Sequence, residues 1–104
     1  MRLRDPLTPE QVAERLCDLA GWVGDTRQIR KTYRVDYDTG IRMVGEIGEV
    51  AIELEHRPDI DIRWDGVLIT MTTHTAGDVV TGLDFELARR IDEIAARYAA
   101  GFDA

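Results

Sequence analysis

Two histidines and a single cysteine are the whole supply of imidazole and thiol in this chain. With one cysteine, an internal disulfide and a cysteine-rich metal cluster are both excluded, and Cys17 reads as a small, half-buried residue on a helix. Long apolar runs are absent too. None approaches the roughly 18 residues that a membrane span needs, and the N-terminal stretch MRLRDPLTPE lacks the apolar core of a signal peptide. The expectation is a cytoplasmic protein with no membrane partner. Positive charge is scarce as well: 13 Lys and Arg stand against 20 Asp and Glu, for a net charge of −7. Nucleic acid binding needs a basic excess to neutralise phosphates, so no direct nucleic acid partner is expected. The local basic run Arg27, Arg30, Lys31 and Arg34 reads as the solvated face of a strand.

What is present is the composition of a folded domain, with 44% hydrophobic and 32% charged residues over 104 positions. There are no repeats, low-complexity tracts or interdomain linkers, so residues 1–104 read as one domain. Its core would be small, and self-association would help its stability.

Periodicity gives the elements. Thr8-Pro9-Glu10-Gln11 is a helix start with a hydroxyl cap, an early proline and a glutamine placed to close a capping box. Val12, Leu16, Leu19, Ala20 and Val23 then recur at helical spacing, and Gly21 and Gly24 mark the exit. Gln28 to Asp36 alternates with Ile29, Tyr33 and Val35 on one parity, which predicts a half-buried strand. Asp36, Asp38 and Thr39 offer caps for a second helix whose apolar stripe is Met43, Ile47, Val50, Ala51 and Leu54. Its glycines Gly40, Gly45 and Gly48 suggest close approach of another backbone, from the sheet or from a partner subunit. Pro58 stops it.

Ile60, Ile62 and Trp64, the tight-turn pair Asp65-Gly66, and Val67, Ile69 and Met71 together predict an antiparallel hairpin. Thr81 begins a last helix with Asp84 three residues on, as in a capping box, and Leu87, Ala88, Ile91, Ile94, Ala95 and Tyr98 form its stripe. The order is helix, strand, helix, strand, strand, helix, with Gly21 to Thr26 available to pair with the first strand. It predicts an α+β fold: an antiparallel sheet of about four strands with three helices packed on one face.

On pattern alone the histidines admit ordinary roles. His56 follows a helix and could serve as a cation at its C-terminus, and His74 could be a satisfied residue at a strand end. Trp64 fits hairpin packing, and Asp84 with Thr81 fits a helix cap.

The run HRPDIDIRWDGVLITMTTHTAGDVVTGLDFELA resembles the signature region of the pterin-4a-carbinolamine dehydratases, small enzymes of pterin cofactor recycling. His56, Pro58, Trp64, His74 and Asp84 fall on that pattern at the expected gaps, and Gly21-Trp22 and the element order match as well. Two positions depart: Ile52 stands where the pattern has a polar residue, and Arg57 where it has a second His or Asn.

The resemblance implies a hydro-lyase that dehydrates a 4a-hydroxytetrahydropterin to the quinonoid dihydropterin, without metal or organic cofactor. His56 and His74 are the implied acid and base, with Glu55, Arg57, Pro58 and Trp64 around the substrate, Trp64 as an aromatic wall, and Asp84 and Thr81 in support. Imidazole suits both proton transfers because its ordinary pKa of about 6.5 lies near neutrality. Glu55 would orient His56 only where the chain leaves helical geometry. Arg57 cannot exchange protons at neutral pH, and its fixed charge is expected to disfavour the protonated forms of both histidines. The family further implies a homodimer or homotetramer. Arg57 and Ile52 keep two alternatives in view: a weak or silent member acting as a binding or assembly protein, and an enzyme for an anionic ring substrate that Arg57 would clamp.

Overall fold

A computed structural model describes residues 2–103. The first helix, α1, spans Pro9–Leu16, and Thr8 and Gln11 close the capping box at its start. It ends earlier than the apolar spacing suggests. Leu19, Ala20 and Val23 lie beyond it in turns and a short strand, because Gly21 takes a left-handed φ of +84° that turns the chain and sends Trp22 into the core. The strand β1, Val23–Gly24, pairs antiparallel with β2, Ile29–Arg34.

Along β2, Ile29 and Tyr33 are buried while Arg30 and Arg34 are exposed, as the alternation predicts. Lys31 departs from the expected solvated basic face. It shares the inward parity and is only 4% exposed, because the carboxylate of Asp92 lies 2.8 Å from its ammonium.

Helix α2, Tyr37–Glu53, is capped by Asp36, whose side chain accepts from the Thr39 amide. Its buried stripe is Gly40, Met43, Ile47 and Ala51. Of the three glycines in this helix only Gly40 meets the sheet: a methyl group there would lie 3.2 Å from Val67, whereas Gly45 and Gly48 have nothing within 4 Å. The hairpin of β3, Asp59–Arg63, and β4, Gly66–Met71, sets Ile60 opposite Ile69 and Ile62 opposite Val67. Trp64 shares their parity but lies in the turn and is 79% exposed, so it does not pack in the hairpin.

Helix α3, Gly82–Arg97, begins with the full Thr81 and Asp84 capping box. After it, β5, Gly101–Phe102, returns to pair with β2 at Tyr33 and Arg34, a strand too short for its sequence to show. The sheet runs β1-β2-β4-β3 with β5 beside β2, and every pairing is antiparallel. The architecture is thus the expected α+β fold: among the described residues, three helices and an antiparallel sheet whose four-strand path is joined by the two-residue β5. One sheet face carries Ile29, Tyr33, Val67, Ile69 and Met71 into a core with Met43, Ile47, Leu87 and Ile91 from the helices. The other carries Arg30, Thr32, Leu68 and Thr70 to the outside. No described helix is long and apolar enough to cross a membrane.

Candidate active site

Helix α2 ends in a left-handed residue, Glu55 at φ +51°, after which the His56 amide donates back to the Ala51 carbonyl at 2.9 Å. This reversal tucks the His56 ring under the start of α3. His56 is 5% exposed and Asp84 fully buried, and His56 Nε2 lies 2.6 Å from Asp84 Oδ1. The other carboxylate oxygen, Oδ2, accepts from the Thr73 hydroxyl at 2.8 Å and the Thr81 amide at 2.9 Å. Since the single Thr73 proton goes to Asp84, the 2.7 Å contact between the two threonine hydroxyls is donated by Thr81. Thr81 in turn accepts from the Leu83 amide.

With the Thr73 hydroxyl and the Thr81 amide donating to its Oδ2, Asp84 is the acceptor of this network, and His56 Nε2 donates to its Oδ1. In the neutral ring the lone pair then sits on Nδ1. No buried side-chain nitrogen or oxygen among the described residues lacks a partner, so Nδ1, which no described residue bonds, reaches solvent. Asp84 therefore both caps α3 and holds His56. Reading it chiefly as a cap missed the second role, which depends on a contact 28 residues back in the chain.

His74 opens the short 3-10 turn His74–Ala76 after β4. Its side chain is 65% exposed and its Nδ1 lies 2.7 Å from Asp78 Oδ1. The Asp78 hydrogen bond raises the His74 pKa above its ordinary value, and the charges of Asp78, Asp59 and Asp84 add to this. The expectation that Arg57 would disfavour the charged form of His74 is thus overturned, because carboxylates surround that ring. The two histidines are linked through Asp84, which touches His56 with one oxygen and the residue before His74 with the other.

The remaining sequence-selected residues divide by position. Glu55 does provide the departure from helical geometry, but Asp84 rather than Glu55 orients His56. Arg57 is exposed and Pro58 half-buried beside it. Ile52 is 58% exposed on the last turn of α2. Trp64 lies at the opposite end of the hairpin: β3 separates it from His56 by roughly 16 Å at about 3.3 Å per residue, and β4 likewise separates it from His74. Within one chain the structure does not bring Trp64 to the histidines. It lines instead a hollow of about 420 Å³ on the outer sheet face with Arg34, Arg63 and Leu68.

Three contributors escaped the sequence reading: Thr73, Asp78 and Arg4. Asp78 had a signal, its spacing of four residues from His74. Thr73 and Arg4 had none, since their partners are distant in sequence. No group of three or more His, Cys, Asp or Glu among the described residues is arranged to hold a metal ion.

Comparison with known proteins gives the family. A family model described as pterin 4 alpha carbinolamine dehydratase matches residues 5–94. The chain belongs to that family. A provisionally named pterin-4-alpha-carbinolamine dehydratase of Streptomyces coelicolor is 37% identical to this family member over 97 residues, covering 92% of this chain and 96% of the relative. Another, from Roseiflexus castenholzii, is 43% identical over 89 residues, covering 85% and 95%. Among solved structures, a transcriptional coactivator/pterin dehydratase from Brucella melitensis superposes with a TM-score of 0.81 at 29% identity, over 88% of this chain and 99% of that one. A pterin dehydratase-like RuBisCO assembly factor of the alpha-carboxysome shares the fold, with a TM-score of 0.56 at 20% identity over 71% and 86%.

Proposed function

We propose that this protein is a hydro-lyase that dehydrates 4a-hydroxytetrahydropterin to quinonoid dihydropterin, with His56 as the base and His74 as the acid. The observation that carries the assignment is the contrast between the two rings. His56 is buried, and its Nε2 proton is committed to Asp84, which leaves Nδ1 as an acceptor. His74 is exposed, and Asp78 stabilises its protonated form. One ring is prepared to take a proton and the other to give one.

In the reaction, His56 Nδ1 removes the proton from the ring nitrogen next to the carbinol carbon. The electron pair of that N–H bond becomes the second bond of a C=N. The carbon–oxygen bond breaks, and the hydroxyl leaves as water with the proton that His74 supplies. Asp84 meets the imidazolium formed at His56 with a fixed negative charge, already ordered by Thr73 and Thr81, so little reorganisation accompanies the transfer. Arg57, exposed next to His56, contributes donors toward a pterin carbonyl.

A second reading, a member that binds a ring without turning it over, is favoured by one observation. Ile52 is 58% exposed one turn before His56, at a position that the family pattern fills with a polar side chain. The deciding experiment is a stopped-flow dehydratase assay with a chemically generated 4a-carbinolamine. Catalysed dehydration that disappears in both His56→Ala and His74→Ala supports the hydro-lyase. Binding of a dihydropterin with no acceleration over buffer supports the silent binder and removes the enzymatic reading.

A further inference from the structure

The N-terminal segment is fixed against the start of α3. The Leu83 amide donates to the Leu3 carbonyl at 3.0 Å, the Leu7 amide donates to Val80 at 3.1 Å, and Pro6 forms a bridge with Thr81. The segment therefore lies along the same residues, Thr81 to Leu83, that carry the Asp84 cap. A local turn between Arg2 and Asp5, bonded in both directions, shapes the chain around Arg4.

From this anchored stretch the Arg4 guanidinium reaches two loops at once. Its Nη2 donates to the Glu55 carbonyl at 3.2 Å and approaches the Leu54 carbonyl at 3.5 Å. Its Nη1 donates to the Thr75 hydroxyl at 3.1 Å. Glu55 immediately precedes His56, and Thr75 immediately follows His74. The α2 carbonyls lie at a helix C-terminus, where the backbone has no further amides to offer and a cation is favoured. Thr75 lies on the 3-10 turn, a short and exposed element. Lysine could not make this arrangement equally well, because it has no planar fork with two donors directed apart.

We propose that Arg4 is a positioning residue: its guanidinium fastens the His56 loop to the His74 loop and so sets the gap into which the pterin ring fits. The proposal rests on the hydro-lyase reading for its catalytic consequence. The tie itself stands on the geometry. Asp84 alone holds His56 firmly, but it reaches the His74 side only through Thr73, one residue short of the ring. Arg4 supplies the second point of attachment, on the far side of His74. With both in place the 3-10 turn cannot swing away from α2. A displacement of about 1 Å between acid and base is enough to lower a rate substantially.

The test is a double-mutant cycle on the full chain with Arg4→Gln, Thr75→Ala and the pair. It is read by steady-state kinetics, thermal melting and amide hydrogen exchange. Each single variant is expected to lower kcat about tenfold with KM changed by less than about twofold. The pair should be no worse than either alone, and the melting temperature should stay near that of the unaltered protein. Arg4→Lys should recover at most part of the loss. The Ala76, Gly77 and Asp78 amides, which close the turn on Thr73 and His74, should exchange about tenfold faster in Arg4→Gln. Unchanged kcat, additive losses, full recovery by lysine, or a loss matched by a fall in melting temperature would overturn the proposal. If the unaltered protein proves inactive, the hydro-lyase reading falls by itself. The exchange rates then decide the tie: faster exchange in Arg4→Gln supports it and unchanged exchange overturns it.

Discussion

Asp84 joins two parts of the chain with one carboxylate, holding His56 Nε2 at 2.6 Å on Oδ1 and the Thr81 amide at 2.9 Å on Oδ2. The same group that starts α3 thereby sets the tautomer of a histidine placed beyond the end of α2. Stability and chemistry are coupled at this point.

Replacing Asp84 by Asn should affect both. One oxygen remains, so either His56 or the donors Thr81 and Thr73 face an amide N–H2 in place of an acceptor. The loss is expected to be about 1–3 kcal/mol in urea unfolding. If the amide faces His56 it imposes the opposite tautomer, with a fall in kcat of about a hundredfold or more. Undiminished kcat in an Asp84→Asn variant whose His56 ring is shown by NMR to carry its proton on Nδ1 would remove His56 as the base.

Asp78 should govern the pH profile. Its hydrogen bond raises the His74 pKa above 6.5, so His74 stays protonated as the pH rises until that higher folded value is passed. Activity that needs the acid is then lost on the alkaline side. The Asp78→Asn variant should move the alkaline limb of kcat and the NMR titration of His74 to lower pH together. The linked stability has the same sign: it is fully present below 6.5 and lost as pH rises through the folded pKa. A limb that stays in place would assign the acid elsewhere.

Lys31 and Asp92 form a separate polar cluster that should serve folding rather than catalysis. Asp92 accepts from Lys31 at 2.8 Å, from Trp22 Nε1 at 3.1 Å and from the Tyr33 hydroxyl. Burial, reinforced by Asp92, holds the Tyr33 phenol well above its usual pKa, so it remains a donor. The Lys31 ammonium also sits 3.9 Å over the Phe102 ring of β5. Lys31→Ala should lower unfolding free energy by about 2 kcal/mol, and kcat of the folded fraction should hold. A selective loss of kcat would connect the cluster to the site.

Arg57→His restores the residue type that the family pattern has there. As Arg57 is exposed beside His56, the exchange should be tolerated, raising kcat by adding a third imidazole able to move protons at neutral pH. A fall in kcat would show that the donors Arg57 directs at the pterin matter more to turnover than a further proton carrier, and would overturn the expected gain.

We propose that the chain self-associates as a dimer or as a dimer of dimers. On α2 the residues Tyr37, Ile41 and Ile52 are exposed, and Gly45 and Gly48 meet nothing within 4 Å, which leaves the outer helix face free for close approach. Sedimentation at micromolar concentration should show a species heavier than 11.8 kDa, and a purely monomeric boundary would refute the assembly.

Local chemistry in the sequence was enough for much of this architecture. The capping boxes at Thr8 and Thr81 place the starts of α1 and α3, and Asp36, Asp38 and Thr39 bracket that of α2, where the structure selects Asp36, because a cap needs only residues within one turn of each other. The alternation through Ile60, Ile62, Val67 and Ile69 with the Asp65-Gly66 turn gives the hairpin and its register, since period and turn residues are also local. Both histidines were legible as candidates from their place in a spaced motif. Tertiary structure alone decided what each can do. Asp84 reaches His56, Thr73 reaches Asp84, and Arg4 spans to Glu55 and Thr75 only after the N-terminal segment, α2 and β4 converge on the start of α3. It also decided that Lys31 is buried and Trp64 exposed, the reverse of what their residue types suggest. A pKa, a tautomer and the exposure of a side chain depend on neighbours distant in sequence, and no local pattern of residues contains them.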